Sequence, residues 1–286
     1  QRSTAMQQLA NEVQVQSLAS QASTLAKQGD RSQAITLLRR AELAANGKPE
    51  SLGMLASAYV DAGDTEHALS MLRSARAQSS TPSASLRLAY AGVLLKAGAG
   101  VQVHQILHEL QSQPLAAADQ RNYDQLLYLY TVRQADLLRE KGDLVAAYDT
   151  LAPALAQRPN DPLAVGALAR MYLANNNAKK AIELYQPLLD QAPNDPQLQI
   201  GMAQALNQSG DYRGAEKAMD KALELAPNDA PILATAASLY RAQGKNAKAA
   251  QLYARALALQ APSKEEANPF AGTVAANPFV RTAGPP

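Results

Sequence analysis

The chain has 286 residues and a net charge of +2; 47 % are hydrophobic, 5 % aromatic and 18 % charged. The apolar share can build a core, which excludes a disordered chain, and the lack of a basic excess excludes a nucleic-acid partner. With no Cys there is no disulfide, no Cys-ligated metal and no thiol nucleophile, and the chain tolerates an oxidising compartment.

Gln1 opens the chain without a charged-then-apolar leader, so the reading is of an excised piece without a signal peptide. Residues 1–14 read as a partial helix preceding a repeat array. From there a set of landmarks recurs: Gly29-Asp30, Gly63-Asp64, Gly98, Gly142-Asp143, Asn176-Asn177, Gly210-Asp211 and Gly244-Lys245. The last four lie 34 residues apart. Seven residues before them stand Ala135, Ala169, Ala203 and Ala237, and five after stand Ala147, Ala181, Ala215 and Ala249. The frame extends backward through Ala22, Ala34, Ala56 and Ala68, while Gly98 sits one residue out of phase. Such a period marks stacked repeats instead of separate globular domains. It yields seven units: 15–48, 49–82, 84–117, 128–161, 162–195, 196–229 and 230–263.

Each unit reads as two helices. In 196–229 the set Leu198, Met202, Ala205, Leu206 has helical spacing, and Tyr212, Ala215, Met219, Ala222, Leu223 repeats it. The Gly between them suits a helix C-terminus with positive φ. Asp161 and Asp195 are N-cap residues, each followed by Pro at the first helical position. The alanines let two helix backbones approach closely.

Between Gly98 and Gly142 lie 44 residues, ten too many, and the excess falls at 118–127. Asp119 to Lys141 holds no Gly or Pro, which predicts one long helix overhanging its neighbours by about 15 Å at about 1.5 Å per residue. It is either a hinge that redirects the array or an inert insertion. Residues 264–286 leave the period and read as a flexible tail or linker. They carry Ala-Asn-Pro-Phe twice, with Phe270 and Phe279 as the two Phe of the chain. These are anchors for a partner or following domain, or simply linker. No apolar run reaches the ~18 residues of a membrane helix, so no membrane contact is expected of the chain itself.

A 34-residue unit of helix, Gly-containing turn and helix with small residues at fixed places resembles the tetratricopeptide repeat. The resemblance covers 15–263. It implies an all-α, right-handed superhelical solenoid whose stability comes from stacking of neighbours. The large aromatic that the family carries early in the first helix is replaced by Leu18, Leu52, Val165 and Leu233. By the same resemblance the first helices line a concave wall, which places Arg133, Asp136, Arg139, Arg170, Gln204, Asn207 and Arg241 on it. That wall is a candidate groove for an extended polar ligand, or a solvated face. The family's carboxylate clamp is missing, since Ala19, Gly53, Gly166, Ile200 and Ala234 stand where its Lys would be.

Nothing in the sequence reads as an enzyme. There is no phosphate-binding Gly-Lys-Ser/Thr loop and no Gly-x-Ser-x-Gly elbow. Among the three His, His104 and His108 share a helix face, but no third ligand lies near. Tyr59, Tyr172 and Tyr240 share one register and read as core rather than as a sugar platform. No catalytic residue, cofactor or metal is expected.

The array followed by an Asn-Pro-Phe tail is similar to the periplasmic region of the BcsC family of bacterial cellulose synthase components. That resemblance implies a non-catalytic scaffold linking an inner-membrane synthase to an outer-membrane pore. Its partners would be other subunits of the complex, peptidoglycan or the polysaccharide, and a C-terminal outer-membrane barrel in the full-length chain. The rivals are a scaffold of another secretion or polysaccharide-export system, and a eukaryotic trafficking adaptor that uses its Asn-Pro-Phe tail.

Overall fold

The computed structural model describes residues 2–45 and 49–260. Among these residues there are fourteen α-helices and no strand. They come in antiparallel pairs. The first three are α1 (Arg2–Lys27) with α2 (Arg31–Ala45), α3 (Pro49–Asp61) with α4 (Thr65–Ala77), and α5 (Ala84–Lys96) with α6 (Gly100–Gln111). The long α7 (Ala117–Glu140) pairs with α8 (Leu144–Gln157). Then come α9 (Pro162–Ala174) with α10 (Ala178–Gln191), α11 (Pro196–Ser209) with α12 (Tyr212–Leu225), and α13 (Ala230–Ala242) with α14 (Asn246–Gln260). Residues 2–14 run into the first pair without a break, as the N-terminal half of α1. Phe270 and Phe279 lie outside the described residues.

The turn inside each pair is one device used seven times. Gly29, Gly63, Gly98, Gly142, Gly210 and Gly244 all have φ between 77° and 89°, and Asn176 takes 56°. A left-handed residue there lets two amides fold back on the orphan carbonyls of the helix end. In the second pair Gly63 N–H donates to the Val60 carbonyl at 2.9 Å and Asp64 N–H to the Tyr59 carbonyl at 2.8 Å. Gly142/Asp143, Gly210/Asp211 and Gly244/Lys245 repeat both bonds. The next residue then opens the second helix. Asp64 accepts from His67 N–H at 3.0 Å, Asp143 from Ala146 N–H at 3.0 Å and Asp211 from Gly214 N–H at 2.9 Å. Two residues thus close one helix and cap the other.

The joints between pairs use a second device. Asp161, Asp195 and Asp229 cap α9, α11 and α13 through their carboxylates, each with Pro at the start of the helix. Pro153 and Pro187 sit inside α8 and α10. Both are exposed, so the carbonyl that each leaves without an amide partner can be hydrated.

Curvature follows from which helices touch. Each first helix contacts the next first helix: α1 with α3, α3 with α5, and so on to α11 with α13. No second helix contacts the next second helix; each touches its own partner and the first helix that follows. The first helices are therefore the inner, closely spaced layer, and the second helices splay on the outside. The tight spacing rests on alanine. Ala22, Ala34, Ala56, Ala68, Ala135, Ala147, Ala169, Ala181, Ala203, Ala215 and Ala237 are all fully buried.

The ten extra residues are absorbed within α7. Tyr123 and Leu126 pack into the core shared by the first three pairs, whereas Tyr128, Val132 and Ala135 pack into the core shared with α8 and α9. One helix thus serves two cores end to end. The array also meets itself: Arg31 Nη1 donates to the Leu259 carbonyl at 2.7 Å, and Asn228 Nδ2 to the Gln28 carbonyl at 3.2 Å.

Replacing Ala215 by Leu forces a larger side chain between α11 and α12, which overpacks by about 1–3 kcal/mol. Because stacking is between neighbours, amide exchange should rise in α9 to α14 and stay unchanged in α3 to α6, which touch neither end of the perturbed stretch. Uniform loosening of all fourteen helices would contradict the modular packing.

Candidate functional site: the inner wall

The inner wall is built from the exposed edges of the first helices. A dense charge cluster joins α7 to α9. Asp136 is nearly buried, its side chain 12 % exposed. Arg170 sits 34 residues on, at the equivalent place of the next repeat, and grips the carboxylate with two bonds: Nε to Oδ1 at 3.1 Å and Nη2 to Oδ2 at 2.5 Å. Arg139, one turn along α7, adds Nε to Oδ1 at 3.1 Å and reaches Glu140 at 3.2 Å. Burial alone pushes the Asp136 carboxyl up, but the two guanidinium groups outweigh it and hold it below the ordinary carboxylate range. Burial likewise lowers Arg170, and its bond to Asp136 more than restores it, so this cation stays charged.

A second residue reaches this cluster from outside the wall. Tyr185 belongs to α10, yet it is 2 % exposed and threads between α9 and α11. Its hydroxyl lies 3.5 Å from the Gly166 carbonyl. On the other side is Gly201, where an added Cβ would sit 2.6 Å from the Tyr185 ring carbon Cζ and 2.7 Å from the hydroxyl. Burial pushes the Tyr185 phenol up, against the pull of Arg170. The sequence shows a Gly at 201 but not the ring that requires it.

Of the seven wall residues expected from register, the structure brings Asp136, Arg139 and Arg170 together. Asn207 is elsewhere, accepting from Gln243 Nε2 at 2.9 Å across the α11–α13 step. Gln204 is half-buried on α11. Arg133 is exposed on α7, and Arg241 is exposed on α13 with its guanidinium 5.9 Å from the Tyr253 ring centre. His104 and His108 have ring centres 6.4 Å apart, with Tyr130 beside His104 at 6.0 Å. Among the described residues no group of three metal-ligating side chains is found.

Two further clusters hold successive pairs together. Tyr59 donates to Glu42 of the preceding pair at 2.9 Å, and His67 shares the same carboxylate oxygen at 2.9 Å. Tyr240 donates to Asp220 at 2.6 Å, while Lys248 bonds both Asp220 at 3.0 Å and the Tyr240 hydroxyl at 2.7 Å. The tyrosine and its basic neighbour take equivalent places in the two. Each Tyr stands four residues before its turn Gly, and His67 or Lys248 stands four after. That paired spacing was the available signal for them. Both tyrosines are fully buried, whereas Tyr172 is only half-buried.

Two outcomes are expected at this wall. Gly201→Ala should displace Tyr185 and lower stability by about 1–3 kcal/mol. Gly166→Ala should cost less, because an added Cβ there meets Arg170 at an ordinary 3.5 Å. Urea unfolding of both variants decides it, and equal losses would contradict the fit. The depressed Asp136 carboxyl has a definite sign. Its contribution is complete above the unfolded value of about 4 and disappears as pH falls through the lower folded value. Asp136→Asn should therefore destabilise at pH 7, by about 1–3 kcal/mol for the lost charged hydrogen bonds, and differ less from the parent near pH 2.5. Asp220, also held low by Tyr240 and Lys248 against its burial, keeps its own acid-sensitive share.

The comparisons with known proteins agree with this architecture. A tetratricopeptide repeat family model matches residues 138–205 and 206–268. Cellulose synthase operon protein C of Pseudomonas fluorescens (strain SBW25) is 45 % identical over 287 residues, covering 99 % of this chain and 22 % of that protein. The same-named protein of Xanthomonas axonopodis pv. citri (strain 306) is 41 % identical over 107 residues, covering 37 % of this chain and 7 % of that protein. The chain thus spans about a fifth of the first of these relatives and less of the second. In structure it resembles the Cut9–Hcn1 hetero-tetramer of APC/C, with TM-score 0.57 and 15 % identity, over 83 % of this chain and 45 % of that one. It also resembles a tetratricopeptide repeat protein from Parabacteroides merdae, with TM-score 0.52 and 16 % identity, over 88 % of this chain and 95 % of that one. At such identities the likeness concerns the fold alone. The chain is a tetratricopeptide-repeat solenoid, similar over nearly its whole length to one segment of cellulose synthase operon protein C.

Proposed function

We propose that this chain is a non-catalytic scaffold segment of a bacterial machine that makes and exports cellulose. The observation that carries the reading is the 45 % identity to cellulose synthase operon protein C, in an alignment that spans 99 % of this chain. In this reading the array stands in the periplasm. It links the inner-membrane synthase to an outer-membrane pore formed by another part of the longer protein. Its partners are other subunits of the synthase complex, with peptidoglycan or the polysaccharide as further ligands.

The inner wall supplies the contact surface. Arg133 and Arg241 are its exposed cations, with Gln204 and Asn207 between them and the Asp136–Arg139–Arg170 cluster on the same layer. The tight ionic clusters are committed to joining repeats, which suits an adaptor. A rigid inner layer costs little ordering on binding, so affinity can come from a few exposed side chains.

In a bacterium that makes cellulose, removing residues 15–263 from the longer protein should abolish cellulose outside the cell. Isolated inner membranes should keep making glucan. The paired change Arg133→Ala with Arg241→Ala should leave the helical signal intact and reduce export several-fold. Glucan synthesis that vanishes from isolated membranes, or cellulose that leaves the cell normally without the array, would overturn the scaffold reading.

A further inference from the structure

One step of the array is built differently from the rest. Tyr172 stands four residues before its turn residue Asn176, as Tyr59 and Tyr240 stand before Gly63 and Gly244. Those two donate to Glu42 and Asp220 on the preceding second helix. Glu42 lies thirteen residues after its turn Gly and Asp220 ten; the same places on α8 hold Leu155 and Ala152. Tyr172 therefore has no carboxylate to close onto, and it is half-buried where the other two are fully buried.

The released ring borders an open hollow of about 180 Å³ between α8 and α9. Leu144 and Tyr148, one turn apart, form its α8 wall, and Leu168, Met171, Tyr172 and Asn175 form a single stripe of α9. The hollow joins the fourth and fifth pairs, with described pairs on both sides of it. One repeat on, the places of Leu144, Tyr148, Tyr172 and Asn175 hold Ala178, Ile182, Leu206 and Ser209, so the two rings do not recur there.

The lining defines what can enter. It holds no charged residue, so an ionised ligand would lose water without meeting a counter-charge. Among the described residues, the Tyr148 and Tyr172 hydroxyls and the Asn175 carboxamide bond to no other group of the chain. An apolar side chain seated here would cover these polar atoms without pairing them, which costs free energy. A neutral pyranose meets both demands. Its C–H faces lie against phenol rings, which are apolar bodies with a polar tip, and its hydroxyls both donate to and accept from a carboxamide or a phenol. An all-equatorial glucose keeps both ring faces free of hydroxyl groups and so packs between walls from two helices. The hollow is well below the roughly 300–1,000 Å³ of a pocket for a whole small molecule, which suits a single sugar unit of a longer chain.

We propose that this hollow is a subsite for one glucosyl unit of a neutral β-glucan, with Tyr148 and Tyr172 against the sugar ring and Asn175 bonding its hydroxyls. The choice of glucan rests on the cellulose reading of the proposed function; the sugar chemistry rests on the hollow itself.

Cellopentaose, an uncharged β-glucan fragment, is the probe. In the 286-residue chain carrying ¹³C-labelled methionine methyl groups, it should shift the Met171 resonance saturably and leave those of Met54 and Met219 in place. Tyr148→Ala and Asn175→Ala should each weaken binding about tenfold, and Tyr148→Phe should keep most of it. Tyr212→Ala, at an exposed tyrosine of α12, should change nothing. Tyr148 and Asn175 are exposed, so unchanged circular dichroism separates lost binding from a lost fold. A Met171 resonance that ignores cellopentaose would overturn the proposal, as would a response that both alanine variants keep. A response to N-acetylphenylalaninamide and not to cellopentaose would assign the hollow to an apolar side chain of a partner protein, and equally overturn it. Export is a separate readout. No cellopentaose response, beside export that is lost with the array, defeats the sugar subsite alone. A full response, beside export that persists without the array, supports the subsite and defeats the scaffold reading alone.

Discussion

The close approach of two helix backbones at buried alanines is the constraint on which the rest of this molecule depends. Ala203 and Ala215 share one core and are both fully buried; the same pair of positions recurs in six of the seven hairpins. A methyl group at each contact fixes the distance between the helices of a pair. That distance, repeated, fixes how the next pair must stack. Because first helices also touch one another while second helices do not, the array curves with its first helices inside. The turn continues until the first and last pairs meet through Arg31, Gln28, Asn228 and Leu259.

An alanine-rich seam buries little surface per residue, so other interactions must set the register between pairs. Leu52, Val165 and Leu233 supply modest apolar bulk where a large aromatic would otherwise sit, and all three are buried. Polar stitching adds direction. Tyr59 with Glu42 and His67, Tyr240 with Asp220 and Lys248, and Asp136 with Arg139 and Arg170 each join one repeat to its neighbour. A partly buried pair gains little net free energy over a well-packed apolar one, but it penalises a slipped alignment by leaving a charge unpaired. The stitches lie at the second and seventh pairs and at the step after the long helix α7. The contact after α7 is the place where the regular spacing has just been interrupted by ten residues.

Much of this was legible in the sequence, and the reason is physical. A left-handed residue every 34 positions admits only Gly or Asn, so the turns announce themselves at Gly142, Asn176, Gly210 and Gly244. Backbone closeness likewise admits only small side chains, so the seam appears as alanine. Side-chain pairing left a weaker trace. Asp136 and Arg170 could be placed on one wall from register, but that they hold each other rather than face a ligand depends on a separation of 2.5 Å that no spacing encodes. Tyr185 reads as a second-helix core residue; its passage between Gly166 and Gly201 follows only from coordinates. Pro153 and Pro187 give no signal of their own, because a helix that carries them survives only where they face water.

The division between stitched and open positions bears on how such an array can work. Asp136 is closed off by Arg139 and Arg170, while Arg133 on α7 and Arg241 on α13 are exposed. The ion pairs of this layer thus tie its own helices together. In the proposed reading, a ligand that meets Arg133 and Arg241 need not break Asp136 from Arg170, so contact would not compete with folding. Local stacking has the complementary effect. A strain at one repeat is passed to its neighbours and fades with distance, except where α7 connects two cores through a single helix. In a chain built this way, stability resides in the seams between neighbouring repeats.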